Sequence, residues 1–417
     1  MPVHRIPGSA RGSVYALTEE LDAWLGAAPP DDGASAATGP SPPQSSGERP
    51  AARRWTSAAL VAGLTVAGLG LAVYAWPEVR APTPRILVPQ DASAAALYVE
   101  ARADWARRTP STLLAAIGKL KRVVAAEPEF APAYSALADC YLLAREFGSL
   151  PDIDAFGRAQ TAVDTALKID PGHAGALRAR GFLNYWYHGD RAAASRDFRR
   201  SLAIDGKSAQ TLFWFANALI DNGDFEEGMR RFAEARLMEP ASPSIAADLA
   251  WAQWSTGNAA TAKAALLDLR RSNARLATVA DYLSVIALAE GDAAGFVAEV
   301  ETMARQRKEA GLTAYAALLR AAVADGPRAV SDRVVTEAEA EVHNGDRRTL
   351  VWPAFAASAT GDRETLLRLL RKADARGEIW GSAGLRRHIA ERWRGDSAVQ
   401  GLLARRAAPS LTAVDRS

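Results

Sequence analysis

One cysteine, Cys140, occurs among 417 residues, which excludes an intrachain disulfide framework and any cysteine-rich zinc site. Charge bias is also missing. Fifty Lys and Arg against 48 Asp and Glu leave a formal +2, so nothing global draws the chain to nucleic acid or to an acidic partner. The five histidines, His4, His173, His188, His343 and His388, are scattered and form no HExxH pair. No GxxxxGKS/T phosphate loop and no GxSxG nucleophile turn is present. Cys140 lies in an apolar helical stretch with no histidine at helical spacing, so burial rather than nucleophilic duty is expected. No residues motivate a catalytic centre, a cofactor or a metal site, and the chain is not expected to be an enzyme.

Two further absences divide the N-terminal part. Residues 56–76, "TSAALVAGLTVAGLGLAVYAW", carry no charged side chain, and Trp55, Tyr74 and Trp76 stand at the edges. A hydrocarbon core about 30 Å thick needs roughly 20 apolar residues in a helix, and aromatic rings favour the headgroup level. A cleaved signal peptide would carry a shorter apolar run much nearer the N-terminus. A transmembrane helix is therefore expected over residues 55–76. Arg49, Arg53 and Arg54 precede it; Arg80 and Arg85 follow, with Glu78 between. That bias places the N-terminus in the cytoplasm and the C-terminal part outside the inner membrane, in a periplasm-like space. Ala59, Gly63 and Ala67 form a small-xxx-small line on which two copies of the helix can pack as a homodimer. Residues 26–54 have no large apolar side chain and are rich in Pro, Ser, Gly and Ala, the composition of a disordered linker. Residues 77–93, stiffened by four prolines, read as a second linker.

From Ala94 the texture becomes Ala- and Leu-rich, amphipathic and regularly punctuated. Gly189-Asp190, Gly223-Asp224, Gly257-Asn258 and Gly291-Asp292 recur at intervals of 34 residues, and Gly326 and Gly361-Asp362 continue the beat slightly late. Each glycine supplies the positive φ that ends a first helix, and the following Asp or Asn caps the second. A second punctuation agrees in phase: Glu127-Pro128, Asp170-Pro171, Asp205-Gly206 and Glu239-Pro240. In "AQTLFWFANALIDNGDFEEGMRRFAEARLMEP", Ala209 to Pro240, Leu212, Phe215, Ala216 and Leu219 share one face of the first helix, and Phe232 and Ala235 face inward from the second. "AYSALADCYLL" from Ala133 repeats the first-helix pattern through Tyr134, Leu137, Ala138 and Tyr141. A 34-residue period of helix pairs is the tetratricopeptide length. The expected fold is all-α: a tetratricopeptide solenoid of about eight helix pairs over residues 94–405, after a single transmembrane helix and before a disordered tail, 406–417.

The stretches 98–143, "GDRAAASRDFRRSLAIDGKSAQTLFWFANAL" and "PASPSIAADLAWAQWSTG" resemble the repeats of ToxR-like membrane-anchored one-component regulators with tetratricopeptide sensor domains. In that family a cytoplasmic DNA-binding domain precedes a linker, one span and an outward-facing sensor. "VHRIPGSARGSVYALTEELDAWL" resembles the end of an excisionase- or MerR-like winged helix-turn-helix. The resemblance implies that Val3–Ile6 pairs with Ser13–Ala16 as a wing, that Thr18 caps a helix to Leu25, and that Arg5 and Arg11 face phosphates. Residues 1–25 thus read as a truncated winged-helix remnant lacking the recognition helix that reads base edges, so little specific DNA affinity is expected.

In repeat solenoids the first helices line the concave surface. By the repeat phase, Phe213, Asn217, Asp221, Trp251, Trp254 and Ser255 are the candidate residues of a partner-binding groove. "NYWYHGD", Asn184 to Asp190, places three consecutive aromatics at a helix end. They cannot all face one core, so at least one should be exposed or line a groove. The sequence supports a single-pass membrane protein whose solenoid binds protein or peptide partners in signal sensing derived from a membrane-anchored regulator. The alternative is an envelope scaffold or assembly protein with no DNA-binding output.

Overall fold

The computed structural model describes His4–Arg5, Val14–Tyr15 and residues 88–412 apart from 147–149, 151, 273–275 and 346. The residues up to Thr83 and those from Pro84 onward form separate compact units. In the first, β1 (His4–Arg5) pairs antiparallel with β2 (Val14–Tyr15), His4 opposite Tyr15 and Arg5 opposite Val14. Both strands fall inside the stretches expected to form a wing. Arg11, the helix after Thr18, the linker 26–54 and the apolar segment 55–76 with its Ala59, Gly63 and Ala67 lie outside the described residues. Among the described residues, no helix is long and apolar enough to cross a membrane.

Among its described residues, the second unit has eighteen α-helices in nine consecutive pairs. These are α1 (Ala92–Arg107), α2 (Pro110–Ala126), α3 (Ala131–Glu146), α4 (Asp152–Ile169), α5 (Ala174–Phe182), α6 (Arg191–Ile204), α7 (Ala209–Asn222), α8 (Phe225–Met238) and α9 (Pro243–Ser255). There follow α10 (Ala259–Ser272), α11 (Ala277–Ala289), α12 (Ala293–Arg307), α13 (Ala310–Ala322), α14 (Pro327–Asn344), α15 (Val351–Ala359), α16 (Arg363–Ala375), α17 (Ala383–Arg392) and α18 (Ser397–Ala404). Odd-numbered helices are the first of each pair and pack on their even-numbered partners. This is a tetratricopeptide-like solenoid, with one pair more than the sequence suggested.

The punctuation is physical. Gly189, Gly223, Gly257, Gly291, Gly326 and Gly361 all have φ between 74° and 107°, the left-handed region that only glycine enters without strain. Asp190, Asp292 and Asp362 accept hydrogen bonds from the backbone N–H of Ala193 (2.8 Å), Gly295 (2.7 Å) and Thr365 (3.1 Å), capping α6, α12 and α16. Asp224 departs from the pattern. Its carboxylate caps nothing; it accepts instead from the backbone of Leu411 at 2.9 Å, from the Ser410 hydroxyl and from Asn222.

That exchange reveals a feature absent from a simple solenoid: the C-terminal end folds back on the middle repeats. Helix α17 packs against α7, α9 and α15. Ser382 donates its backbone N–H to Asp221 at 2.9 Å, and Arg386 and Arg387 reach the carbonyl oxygens of Asn222 and Ser255 at 3.4 Å. Each arginine serves the C-terminal end of one helix, where the unpaired carbonyls and the macrodipole favour a cation. The tail boundary at 406 is corrected accordingly. Arg406 is buried and donates to the carbonyls of Ala373 (2.9 Å) and Glu378 (2.7 Å). Leu411 is buried, and its carbonyl accepts from the Ser195 hydroxyl at 2.9 Å.

Close backbone approach makes the closure possible. A Cβ added at Gly384 would lie 2.4 Å from the Ser255 hydroxyl oxygen and 3.1 Å from the Ser255 Cα. Gly384→Val is therefore expected to lift α17 from α9 at a cost of roughly 1–3 kcal/mol. Amide hydrogen exchange in α17 should rise at least tenfold while that in α2 stays unchanged; equal protection in both proteins would refute the contact.

Candidate partner-binding groove

Five successive first helices, α3, α5, α7, α9 and α11, converge on a concave cavity of about 200 Å³. Helix α3 contributes Arg145 and Glu146; α5 contributes Phe182; α7 contributes Phe213, Trp214, Asn217, Ile220 and Asp221; α9 contributes Asp248 and Trp251; α11 contributes Tyr282. The stretch after Phe182 supplies Trp186 by an unusual route. Leu183–His188 is a π-helical turn, whose extra residue per turn rotates the aromatic run out of α-helical phase. Tyr185 is buried, with its hydroxyl donating to Asp221 at 2.8 Å. Trp186 lies over Phe182 at 4.2 Å between ring centres and faces the cavity, while Tyr187 stacks on Phe156 at 4.8 Å. The three aromatics thus go to three places.

Asp248 forms the polar centre. It is only 8% exposed, and its two oxygens accept from the Asn217 amide and the Tyr282 hydroxyl, each at 2.8 Å. Burial pushes its carboxyl up to about 7; the neighbouring Glu146 adds to that rise, and the two hydrogen bonds oppose it. Glu146 is itself pushed up by burial, against the pull of Arg108, Arg145 and Arg307. Tyr282 is held well above the ordinary phenol value by burial and by the Asp248 charge.

Four of the six sequence-derived groove residues, Phe213, Asn217, Asp221 and Trp251, line this cavity. Trp254 and Ser255 do not: each is 1% exposed beneath α17. The Trp254 ring stacks on His388 at 3.8 Å, and its carbonyl is 3.3 Å from the same imidazole. A ladder of four rings results, with Tyr282 on Trp251 at 4.7 Å, Trp251 on Trp254 at 4.7 Å, and Trp254 on His388. It joins the cavity to the returning helix. Burial also lowers the His388 pKa, which favours a neutral ring in the stack. Asp248 escaped the sequence reading because an acid within "AADLAWAQW" reads as an exposed residue of an amphipathic helix. Its one signal was its place, 31 residues after Asn217, nearly one repeat.

A larger cavity of about 330 Å³ lies elsewhere, among α11 to α15, where Phe296, Val300, Leu312, Tyr315 and Trp352 are among its walls. It arises because α11 packs directly on α15 and α12 on α14, which leaves α13 outside the row of first helices. Cys140 is fully buried, and burial pushes its thiol far above the ordinary range, so the thiolate needed for nucleophilic attack does not form near neutrality. Among the described residues no cluster of His, Cys, Asp and Glu is arranged to hold a metal ion.

No family model matches the chain. Over 175 residues it is 23% identical to the transcriptional regulator HilA of Salmonella typhimurium, a match covering 42% of this chain and 32% of that protein; the match thus spans about a third of the regulator. Among solved structures it is similar to pilF of Pseudomonas aeruginosa, at 17% identity and a TM-score of 0.34, covering 66% of this chain and 96% of that one. It is also similar to PilW, a type IV pilus biogenesis factor, at 15% identity and a TM-score of 0.38, covering 54% and 98%. A tetratricopeptide repeat protein from Parabacteroides merdae aligns at 14% identity and a TM-score of 0.36, covering 76% and 99%.

Proposed function

We propose that the chain is an anchored scaffold whose repeat domain captures a peptide segment of a partner protein in the cavity formed by α3, α5, α7, α9 and α11. The observation that carries this reading is the cavity itself. Five first helices and the π-helical turn after α5 direct polar and aromatic side chains, among them Trp186, Asn217, Asp221, Trp251 and Tyr282, at one concave space. Such a surface supplies flat anchors for a chain and polar groups to fix its direction. In this proposal residues 55–76 hold the protein in the inner membrane with the N-terminus cytoplasmic and the repeats outside. The dimer line Ala59, Gly63 and Ala67 belongs to the same proposal.

A second reading, signal sensing coupled to transcription, is favoured by the match to the regulator HilA. The two readings part at the N-terminus. The scaffold needs no DNA contact from Arg5 or Arg11, whereas the regulator needs a DNA-reading domain on the cytoplasmic side. Protease accessibility of the repeat domain in spheroplasts tests the topology.

Capture of partners by the full chain tests the groove. Trp251→Ala and Asn217→Ala should each reduce capture at least tenfold, a loss of about 1.4 kcal/mol or more, with helical circular dichroism preserved. Unchanged capture by both folded variants would remove the cavity from the binding surface.

A further inference from the structure

Asp248 is a buried carboxylate that makes no ion pair among the described residues: the bonds it accepts come from the neutral Asn217 amide and Tyr282 hydroxyl, and the Arg108 charge offsets only part of the effect of burial. The nearby arginines, Arg145 in the cavity wall among them, have other direct partners. Arg108 donates to the Gln210 side chain at 2.5 Å, and the Arg145 guanidinium lies over the Phe156 ring at 4.9 Å. A second acid, Glu146, lines the same cavity. Taking carboxylates out of water is costly unless a counter-charge accompanies them. The walls add Trp186, Phe213 and the edge of Trp251, apolar surfaces that suit an alkyl stem.

We propose that this cavity takes an alkylammonium group, the end of a lysine side chain on the captured segment, with its nitrogen at Asp248 and its methylenes along Trp186, Phe213 and Trp251. The inference rests on the groove reading above and names the chemistry of its partner. Each Asp248 oxygen already accepts one neutral donor, so the lone pairs that remain are divided between two directions. A compact ammonium with rotatable donors suits that arrangement better than the rigid planar fork of a guanidinium. The cavity's volume of about 200 Å³ has room for a four-carbon stem.

Calorimetric titration of the full chain with n-butylammonium, at fixed ionic strength and mildly alkaline pH, tests this. Saturable one-site binding is expected, at least tenfold tighter than that of n-butanol or butyrate. Asp248→Asn should weaken n-butylammonium at least tenfold and leave n-butanol unchanged; Glu146→Gln, the second variant, should weaken it in the same direction. No saturable binding, equal binding of amine and alcohol, or an undiminished amine in folded Asp248→Asn would overturn the proposal. Binding of n-butylguanidinium as tight as that of n-butylammonium would overturn the choice of an ammonium. Partner capture separates the two levels: capture lost in Trp251→Ala but kept in Asp248→Asn removes this inference alone, and capture indifferent to Trp251 and Asn217 removes the groove.

Discussion

Replacing Trp254 by alanine should lower the stability of the repeat domain by about 3–5 kcal/mol, the range for a large aromatic ring cut from a packed core. The ring is 1% exposed. One face lies on His388 at 3.8 Å between ring centres, Trp251 stacks on it at 4.7 Å, and Phe355 approaches edge-on at 6.2 Å. Removing it opens a cavity at the junction of α9, α15 and α17, and relaxation there is limited because Gly384 already brings the α17 backbone against Ser255. The loss therefore falls on the closure as well as on α9. The urea midpoint should drop, and amide exchange in α17 should accelerate more than in α1 or α2, which do not touch the ladder. A Trp254→Ala protein as stable as its parent, or one destabilised evenly throughout, would mean that the C-terminal helices are not held as described.

Asp248→Asn should stabilise the protein, by an amount that grows with pH. The carboxyl is raised by burial to about 7, against an ordinary aspartate value of about 3.9. Between those values the unfolded chain has released the proton and the folded chain still holds it. The folded state therefore binds more protons, and stability falls as pH rises. Below about pH 4 both states are protonated and no penalty exists; above about pH 7 it is complete. A difference of about 3 pKa values corresponds to roughly 4 kcal/mol. Asparagine stays neutral and keeps an acceptor for Tyr282, and reorientation of the Asn217 amide restores the second bond. The stability gap between variant and parent should thus widen by a few kcal/mol between pH 4 and pH 8, measured by urea unfolding at each pH. A gap that is flat with pH would show that Asp248 is ionised cheaply, which would also weaken its claim on a ligand cation.

Much of this architecture was legible one repeat at a time. Gly223 and Gly257 announced positive φ because no other residue adopts it cheaply, and Asp190, Asp292 and Asp362 announced caps because a short acceptor at that place satisfies a free N–H. Phe213, Asn217, Asp221 and Trp251 were placed on the concave side by counting along the repeat, and they line the cavity. Asp224 carried the same capping signal as Asp190, and its carboxylate went instead to a segment 187 residues away. No pattern within a repeat encodes that choice. The burial of Asp248 was equally hidden, because its desolvation depends on helices from neighbouring repeats.

The amino-acid sequence alone determined the helix pairs, their 34-residue beat, their inward faces and the helices that line the hollow, since all of these follow from backbone preferences and contacts between adjacent repeats. Tertiary structure alone decided that α17 closes on α7 and α9, that Trp254 and Ser255 are covered, and that Asp248 is buried with only neutral hydrogen-bond donors. The physical reason is cumulative geometry. Each repeat rotates slightly against the next, and the displacement of α13 alters the path, so the helix that finally meets the middle of the chain is fixed by the sum of many small angles rather than by any local signal.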